Sequence, residues 1–237
     1  MESVRAAARL LADADAERVV VFTGAGMSAE SGIPTFRDSL TGLWARFSPE
    51  ELATPEAFEK DPELVWSWYE WRRAAVEQAA PNAGHEAVAA IGGTLITQNV
   101  DDLHERAGSP DPVHLHGSLF APRCFACGLA TDGPVCAACG GRSRPGVVWF
   151  GEQLPAGALK RAVEAASTCD LLITVGTSGL VYPAAEIPHV AAMNGAAVVQ
   201  VNPQPTPLDE VATVNLRGTA ATLLPAILKE AAILRRP

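Results

Sequence analysis

Four cysteines carry the most specific chemistry in the chain: Cys124-x-x-Cys127 and Cys136-x-x-Cys139, with eight residues between the pairs. Two such knuckles supply four thiolates for one tetrahedral zinc, each sulfur about 2.3 Å from the metal. Four protein ligands leave no open coordination position, so the spacing predicts one structural zinc per chain and not a catalytic one. A loop-rich segment this short cannot bury a core of its own, and the metal would hold it together. Two disulfides, or free thiols, are the alternative. The fifth cysteine, Cys169, opens the apolar run Leu171-Leu-Ile-Thr-Val175 and is expected in the core.

A second pattern suits a nucleotide. Arg18-Val-Val-Val-Phe22 reads as a buried strand, and Gly24-x-Gly26-x-x-Ala29 follows it. Glycines at such a turn let backbone N–H groups approach a pyrophosphate at a helix N-terminus, so Gly24, Ala25 and Gly26 are candidate cradle residues. An ordinary dinucleotide site continues as helix, then strand, then an acidic residue about 20 positions on. Here Gly32 and Pro34 cut the helix short, and a polar loop with Phe36, Arg37 and Asp38 takes its place. A nucleotide site that opens into such side chains suggests a nucleotide that is consumed. Alone, the glycine pattern is equally compatible with a tight turn.

Three further groups have chemical potential. His116 ends a short strand in His114-Leu-His116-Gly117 and could act as a general base near neutral pH, or be a satisfied structural histidine. His114 shares its strand face, which leaves a metal pair formally open, although no third ligand is near in sequence. His85 reads as a structural residue at a helix start. Gln98-Asn99-Val-Asp101 follows an apolar strand; its side chains could bond ribose hydroxyls and a carboxamide, or simply form a turn with an N-cap. Finally, Tyr69 and Arg72 are three apart on a helical stretch and therefore neighbours on its surface. A phenol beside a guanidinium can grip a carboxylate, whereas the plain alternative is a surface arginine lying over a core tyrosine.

The elements that must position these groups alternate. Strands are expected at Val19–Phe22, Thr94–Thr97, Val113–Leu115, Val147–Phe150, Leu171–Val175 and Ala197–Val201, with helices such as Ala156–Ala166 and Leu223–Leu234 between them. That order predicts an α/β fold, a Rossmann-like parallel sheet whose ligands sit beyond the carboxyl ends of the strands. Residues 36–81 and 121–145 break the alternation. The first holds four of the five tryptophans (Trp44, Trp66, Trp68, Trp71) and reads as helical; the second is rich in Cys, Gly and Pro. They are expected to form a smaller inserted domain, a helical module plus a zinc ribbon, against a larger one built from 1–35, 82–120 and 146–237. On the helical module, Leu64, Trp68, Trp71 and Ala75 form one stripe expected in the core, beside a stripe of Val65, Tyr69, Arg72 and Val76.

With 237 residues, 48% hydrophobic and 19% charged, the chain has an ordinary globular composition. A net charge of −9 argues against non-specific nucleic-acid binding. The zinc segment offers only Arg123, Arg142, Arg144 and Phe125, which is thin for a nucleic-acid module. The first residues lack the apolar centre of a signal peptide, and no run approaches the length of a membrane span, so a cytoplasmic protein with no membrane partner is expected. No exposed apolar repeat suggests an oligomer, and a monomer is expected.

Taken together, Thr23–Asp38, Gln98-Asn99-Val-Asp101, His116-Gly117, the four cysteines, Gly176-Thr177-Ser178 and Val201-Asn202 resemble, in order and spacing, the sirtuin family of NAD-dependent protein deacylases. The resemblance runs from about Val19 to Pro225. It implies NAD as co-substrate and acyl-lysine proteins or peptides as partners. Gly24, Ala25 and Gly26 would hold the pyrophosphate. Gln98, Asn99 and Asp101 would line the ribose and nicotinamide pocket, with Asp101 and the Ile33 backbone on the carboxamide. Phe36 and Arg37 would lie on the cofactor loop, and Gly176, Thr177, Ser178, Asn202 and Ala220 would contact the adenosine half. In the implied reaction the acyl oxygen attacks C1′ of the nicotinamide ribose, nicotinamide leaves, and His116 acts as general base on a ribose hydroxyl; Asn99 is the other catalytic residue. The products are free lysine, nicotinamide and O-acyl-ADP-ribose. Val148, Trp149, Phe150 and Gly151 would pair with the substrate backbone. Tyr69-x-x-Arg72 with Trp149-Phe-Gly-Glu152 is similar to the subclass that removes succinyl and malonyl groups, with acetyl also accepted. A broad deacetylase without acidic-acyl preference and a protein mono-ADP-ribosyltransferase are the competing readings.

Overall fold

The computed structural model describes residues 2–34 and 47–235. Along the chain run α1 (Glu2–Asp13), β1 (Val19–Thr23), α2 (Pro49–Leu52), α3 (Pro55–Lys60), α4 (Pro62–Gln78), α5 (Ala83–Ile91), β2 (Thr94–Thr97), α6 (Leu103–Arg106), β3 (Val113–His114), β4 (Arg123–Cys124) and β5 (Ser143–Arg144). Then follow α7 (Ala156–Thr168), β6 (Leu171–Val175), α8 (Ile187–Met193), β7 (Ala197–Val201), β8 (Val214–Leu216) and α9 (Ala220–Leu234). Six strands form one parallel sheet in the order β3-β2-β1-β6-β7-β8, while β4 and β5 pair separately and antiparallel. Among the six, the order is that of the doubly wound dinucleotide fold, and its switch point falls between β1 and β6.

The central strands β1 and β6 are buried at every position, as β-branched runs covered on both faces should be. On one face α1, α5 and α9 pack around Leu11, Val19, Val21, Leu171 and Ile227; on the other, α7 and α8 cover Phe22, Ile96, Leu172 and Ile187. A third cluster joins Leu52, Phe58, Val65, Trp68, Tyr69 and Val76 to Leu119, Val147 and Trp149, with Phe125 from the cysteine segment against it. The helical segment and the cysteine segment therefore share apolar contacts with residues of the larger expected domain. Among the described residues no helix is long and apolar enough to cross a membrane.

Three expectations need correction. Val147–Phe150 is not a strand of the sheet. Val147 makes a single antiparallel bridge with Gly117, while the Val148 N–H reaches His116 O at 2.8 Å and the Phe150 N–H reaches Ala53 O at 2.9 Å. Its hydrogen bonds go to different segments, so no ladder forms. The buried face of α4 is Val65, Trp68, Tyr69 and Val76, whereas Leu64, Trp71 and Ala75 are half-buried. The core stripe is thus rotated by about one residue, because Tyr69 packs beside Trp149. The edge strand β8 was not expected: Val214-Asn-Leu216 is too short to show a period.

Candidate active site

The chain ends of β1 and β6 meet through glycines. The Gly24 N–H bonds Val175 O at 2.9 Å and the Gly26 N–H bonds Gly176 O at 2.8 Å. A Cβ on Gly26 would lie 2.8 Å from Gly176 Cα, and one on Gly176, whose φ is +60°, would lie 2.5 Å from Gly26 C. Glycine here permits two loops to touch, which a side chain would prevent. The expected helix is reduced to two 3-10 turns, Ala25–Met27 and Ala29–Ser31, closed by Gly32 at φ +83°. The Met27 and Ser28 amides bond Gly24 O and Ala25 O. Of the Gly24–Ser28 amides, that of Ala25 has no partner among the described residues. Ile33 donates its N–H to Ser28 O at 3.3 Å, so its carbonyl is the backbone group it can still offer.

Beneath this turn lies a layer of buried polar side chains around Ser28. The Ser28 hydroxyl donates to Asp101 Oδ2 at 2.9 Å and accepts from Asn99 Nδ2 at 3.2 Å. His85 completes it. Its Nδ1 accepts the Asn82 N–H at 3.2 Å as the capping-box residue of α5, so Nε2 carries the proton and faces Ser28 Oγ at 3.4 Å. Ser28 thereby uses its one donor and both acceptor positions. Asp101 also takes the Leu103 N–H at 3.2 Å, the contact that the turn reading expects near this position. Burial pushes its carboxyl upward. Behind His85, at 4.9 Å between ring centres, stands His104, whose Nε2 is 3.0 Å from Thr23 Oγ1. Thr23 donates to Thr97 Oγ1, which in turn receives the Asn99 N–H at 3.0 Å. Burial lowers His85 to about 4 and His104 to about 3, so both rings are neutral.

His116 Nδ1 is 3.0 Å from Gln98 O. A carbonyl only accepts, so the proton sits on Nδ1 and Nε2 is a lone pair, the tautomer a general base requires. Burial lowers its pKa, and the bond to Gln98 opposes part of that. The Gln98 side chain reaches Thr177 Oγ1 at 2.9 Å, and Asn202 Nδ2 reaches Thr177 O at 2.7 Å. Loops after β2, β6 and β7 are thus stitched together. Gly176 and Ser178 are half-buried there, whereas Ala220 is buried at the start of α9, against Gly84, and could present only its backbone. Neither His114 nor His116 belongs to a metal cluster among the described residues; their Nδ1 atoms take Asn99 O and Gln98 O.

Helix α4 starts at Pro62, with Asp61 accepting the Leu64 N–H at 3.0 Å, and Arg106 donates to Val76 O and Ala79 O at its other end. On its buried face Tyr69 Oη accepts from Trp149 Nε1 at 3.0 Å. Burial raises the Tyr69 phenol to about 12, while Arg72, the Trp149 bond and Arg144 pull the other way. The Arg72 guanidinium carbon lies 5.8 Å from the Tyr69 ring centre and 5.1 Å from that of Trp68. Trp149 is fully buried, whereas Phe150 and Gly151 are exposed. Arg144, stacked 3.3 Å over Trp149, pairs with Glu152, which also accepts the Trp149 N–H at 2.8 Å. In the segment 148–151 the carbonyls of Val148 and Phe150 have no partner among the described residues.

The four cysteine sulfurs lie within 4.8 Å of one another, and the contacts Cys124–Cys139, Cys127–Cys136 and Cys127–Cys139 measure 3.4, 3.7 and 3.4 Å. Zinc–sulfur bonds of about 2.3 Å imply tetrahedral edges of about 3.8 Å, so the four thiols fit zinc. No disulfide forms.

Phe36 and Arg37, expected on the cofactor loop, lie outside the described residues, as do Asp38 and Trp44. Residues 24–183 match the family described as Sir2. The chain belongs to the Sir2 family. Across 249 aligned residues it is 55% identical to the NAD-dependent protein deacylase 1 of Pseudomonas aeruginosa, covering 96% of this chain and 99% of that one. The crystal structure of a Sir2 homologue–NAD complex superposes with a TM-score of 0.90 at 44% identity, covering 97% and 94% of the two chains. Sir2Af2 bound to a myristoylated histone peptide gives 0.79 at 35% identity, covering 99% and 98%. In this sirtuin His85 is the structural residue at a helix start that the sequence suggests, while its grouping with Ser28 and His104 exists only in three dimensions. The sequence reading passed over Leu180, Val181 and Tyr182, an exposed apolar run beyond β6 whose signal was three large residues after Gly179.

Proposed function

We propose that this sirtuin removes succinyl and malonyl groups from protein lysines in preference to acetyl, which it also accepts. As a member of the Sir2 family it is an NAD-dependent protein deacylase and consumes NAD. Bound NAD supplies a glycosidic bond that breaks as the acyl oxygen takes C1′ and nicotinamide departs. The chain's own residues do the rest. Ala25 offers its amide to the pyrophosphate. Asn99, Asp101, Gln98 and the Ile33 carbonyl line the nicotinamide ribose pocket. The lone pair on His116 Nε2 takes the ribose hydroxyl proton. Gly176, Thr177, Ser178, Asn202 and the Ala220 backbone serve the adenosine half, and Phe36 and Arg37 also serve the cofactor. The carbonyls of Val148 and Phe150, with Gly151, meet the substrate backbone, and the cysteines hold the structural zinc. Residues 36–81 and 121–145 act as the smaller domain over the sheet edge.

The observation that carries the acyl preference is the Tyr69 hydroxyl. Its oxygen accepts from Trp149, which leaves its own proton to donate, and Arg72 lies over the same ring. A buried phenol beside a guanidinium suits a carboxylate at the end of an acyl chain. Four cysteines grouped for a metal support a cytoplasmic setting. The test is one lysine peptide carrying acetyl, malonyl, succinyl or glutaryl, assayed with NAD. A higher kcat/KM for the acidic acyl groups is expected; equal or higher values for acetyl would instead make the enzyme a broad deacetylase.

A further inference from the structure

His114 bridges two groups that can only accept. Its Nδ1 is 3.1 Å from Asn99 O, and its Nε2 is 2.7 Å from Glu105 Oε1. A neutral imidazole has one N–H and would set a lone pair against one of those oxygens. Two contacts at hydrogen-bond distance therefore require the imidazolium. His116, two residues on, engages Gln98 O through Nδ1. One short strand end thus grips two successive carbonyls, with a charged ring on Asn99 and a neutral ring on Gln98.

We propose that His114, kept as an imidazolium by Glu105, is a positioning residue that fixes the Gln98-Asn99 segment carrying the base His116. The N–H of Asn99 is held by Thr97 and its side chain by Ser28, so the His114 contact is the third restraint on that residue. Without it the peptide plane that follows Asn99 can rotate, and the Asn99 side chain moves relative to the base. Glu105 on α6 and Asp101 on the preceding loop face His114 with negative charge, and His104 faces it as a neutral ring. Burial lowers His114, but its two partners outweigh this and hold the ring above the ordinary imidazole range. Rising pH would remove its proton and set a lone pair against the Glu105 carboxylate. Turnover would then fall on the alkaline side because of His114 and on the acid side because of His116.

This inference rests on the roles given above to Asn99 and His116. The experiment combines ring ¹⁵N NMR of the full chain with kcat and KM between about pH 5.5 and 9.5, roughly one unit below to three units above the ordinary imidazole value. The expected wild-type result is a doubly protonated His114 ring at neutral pH and an alkaline limb in kcat. Glu105→Gln should give a neutral ring and no such limb, because the amide can donate to a neutral Nε2. His114→Leu should lower kcat about 10- to 100-fold with little change in KM. A neutral His114 ring in the wild type, or an unchanged kcat profile in Glu105→Gln, overturns the proposal even if His114→Leu fails to fold. A His116→Ala control separates the two layers. If it retains turnover, the site assignment itself is wrong; if it is inactive while folded His114→Leu is fully active, only the positioning role fails.

Discussion

His116 hangs from the backbone of Gln98: its Nδ1–H donates to that carbonyl at 3.0 Å, which leaves Nε2 as the free base. Gln98, just after β2, in turn reaches past the end of β1 to Thr177, just beyond β6. The ring proposed as the general base is oriented by the same residue that ties the switch-point loops together.

His116→Ala should abolish deacylation of every acyl peptide, by about 10²- to 10⁴-fold, without changing the melting temperature much. Burial lowers the wild-type ring below 6.5, so it is already the free base at pH 7. The acid limb of kcat/KM should therefore lie below pH 6.5. A limb centred above pH 7 would show that another group is the base.

Tyr69→Phe and Arg72→Met should each lower kcat/KM for a succinyl peptide more than for an acetyl peptide. Hydrogen bonds to a charged group contribute about 1.5–3 kcal/mol, or roughly 10- to 150-fold. The two residues share a helix face, so the double variant should lose less than the product of the single losses. Parallel kinetics on both peptides check this. Survival of succinyl turnover with loss of acetyl turnover would remove the carboxylate-trap assignment.

Metal removal should act on folding before chemistry. One zinc per chain is expected by elemental analysis, and a strong chelator should destabilise the segment around Cys124 and Cys139. The first signs would be loss of the Phe125–Phe58 packing and a broadened thermal transition. Cys136→Ser should reproduce the effect in the absence of chelator. A full-length enzyme that stays folded and metal-free would contradict the zinc assignment.

The pair His85 and His104 should make stability depend on acid. Their folded pKa values, about 4 and about 3, lie below the unfolded value of 6.5. The stability this confers is present above pH 6.5 and is lost as pH falls from there toward 4. Each ring accounts for a few kcal/mol, on the order of 1.4 kcal/mol per unit. Thermal melts between pH 7.5 and 4.5 should show a steep acid decline, shallower in His104→Gln. Identical slopes in the two proteins would refute this.

Much of this was legible in the sequence because it is local. β1, β2, β6 and β7 are apolar runs whose composition alone marks a covered sheet, and the cysteine knuckles announce their own geometry. The failures share a cause. Val147–Phe150 has strand composition, but its N–H groups answer to His116, Glu152 and Ala53, which no local pattern reveals. The face of α4 was read one residue off because a single long-range bond, Trp149 to Tyr69, outweighs the helix's own apolar period. Ser28, His85 and His104 come from three separate segments, 28, 85 and 104, and have meaning only once β1, α5 and α6 converge.

The Trp149–Tyr69 bond has a consequence for anyone redesigning this enzyme. The hydroxyl proposed to sense the tip of the acyl chain is anchored to the segment proposed to hold the peptide backbone, and Glu152 and Arg144 brace that segment from behind. On that proposal, the two ends of the substrate are read by groups joined through one hydrogen bond. Acyl selectivity cannot be retuned through α4 alone without altering peptide affinity, and the two properties should drift together in any library that varies either one.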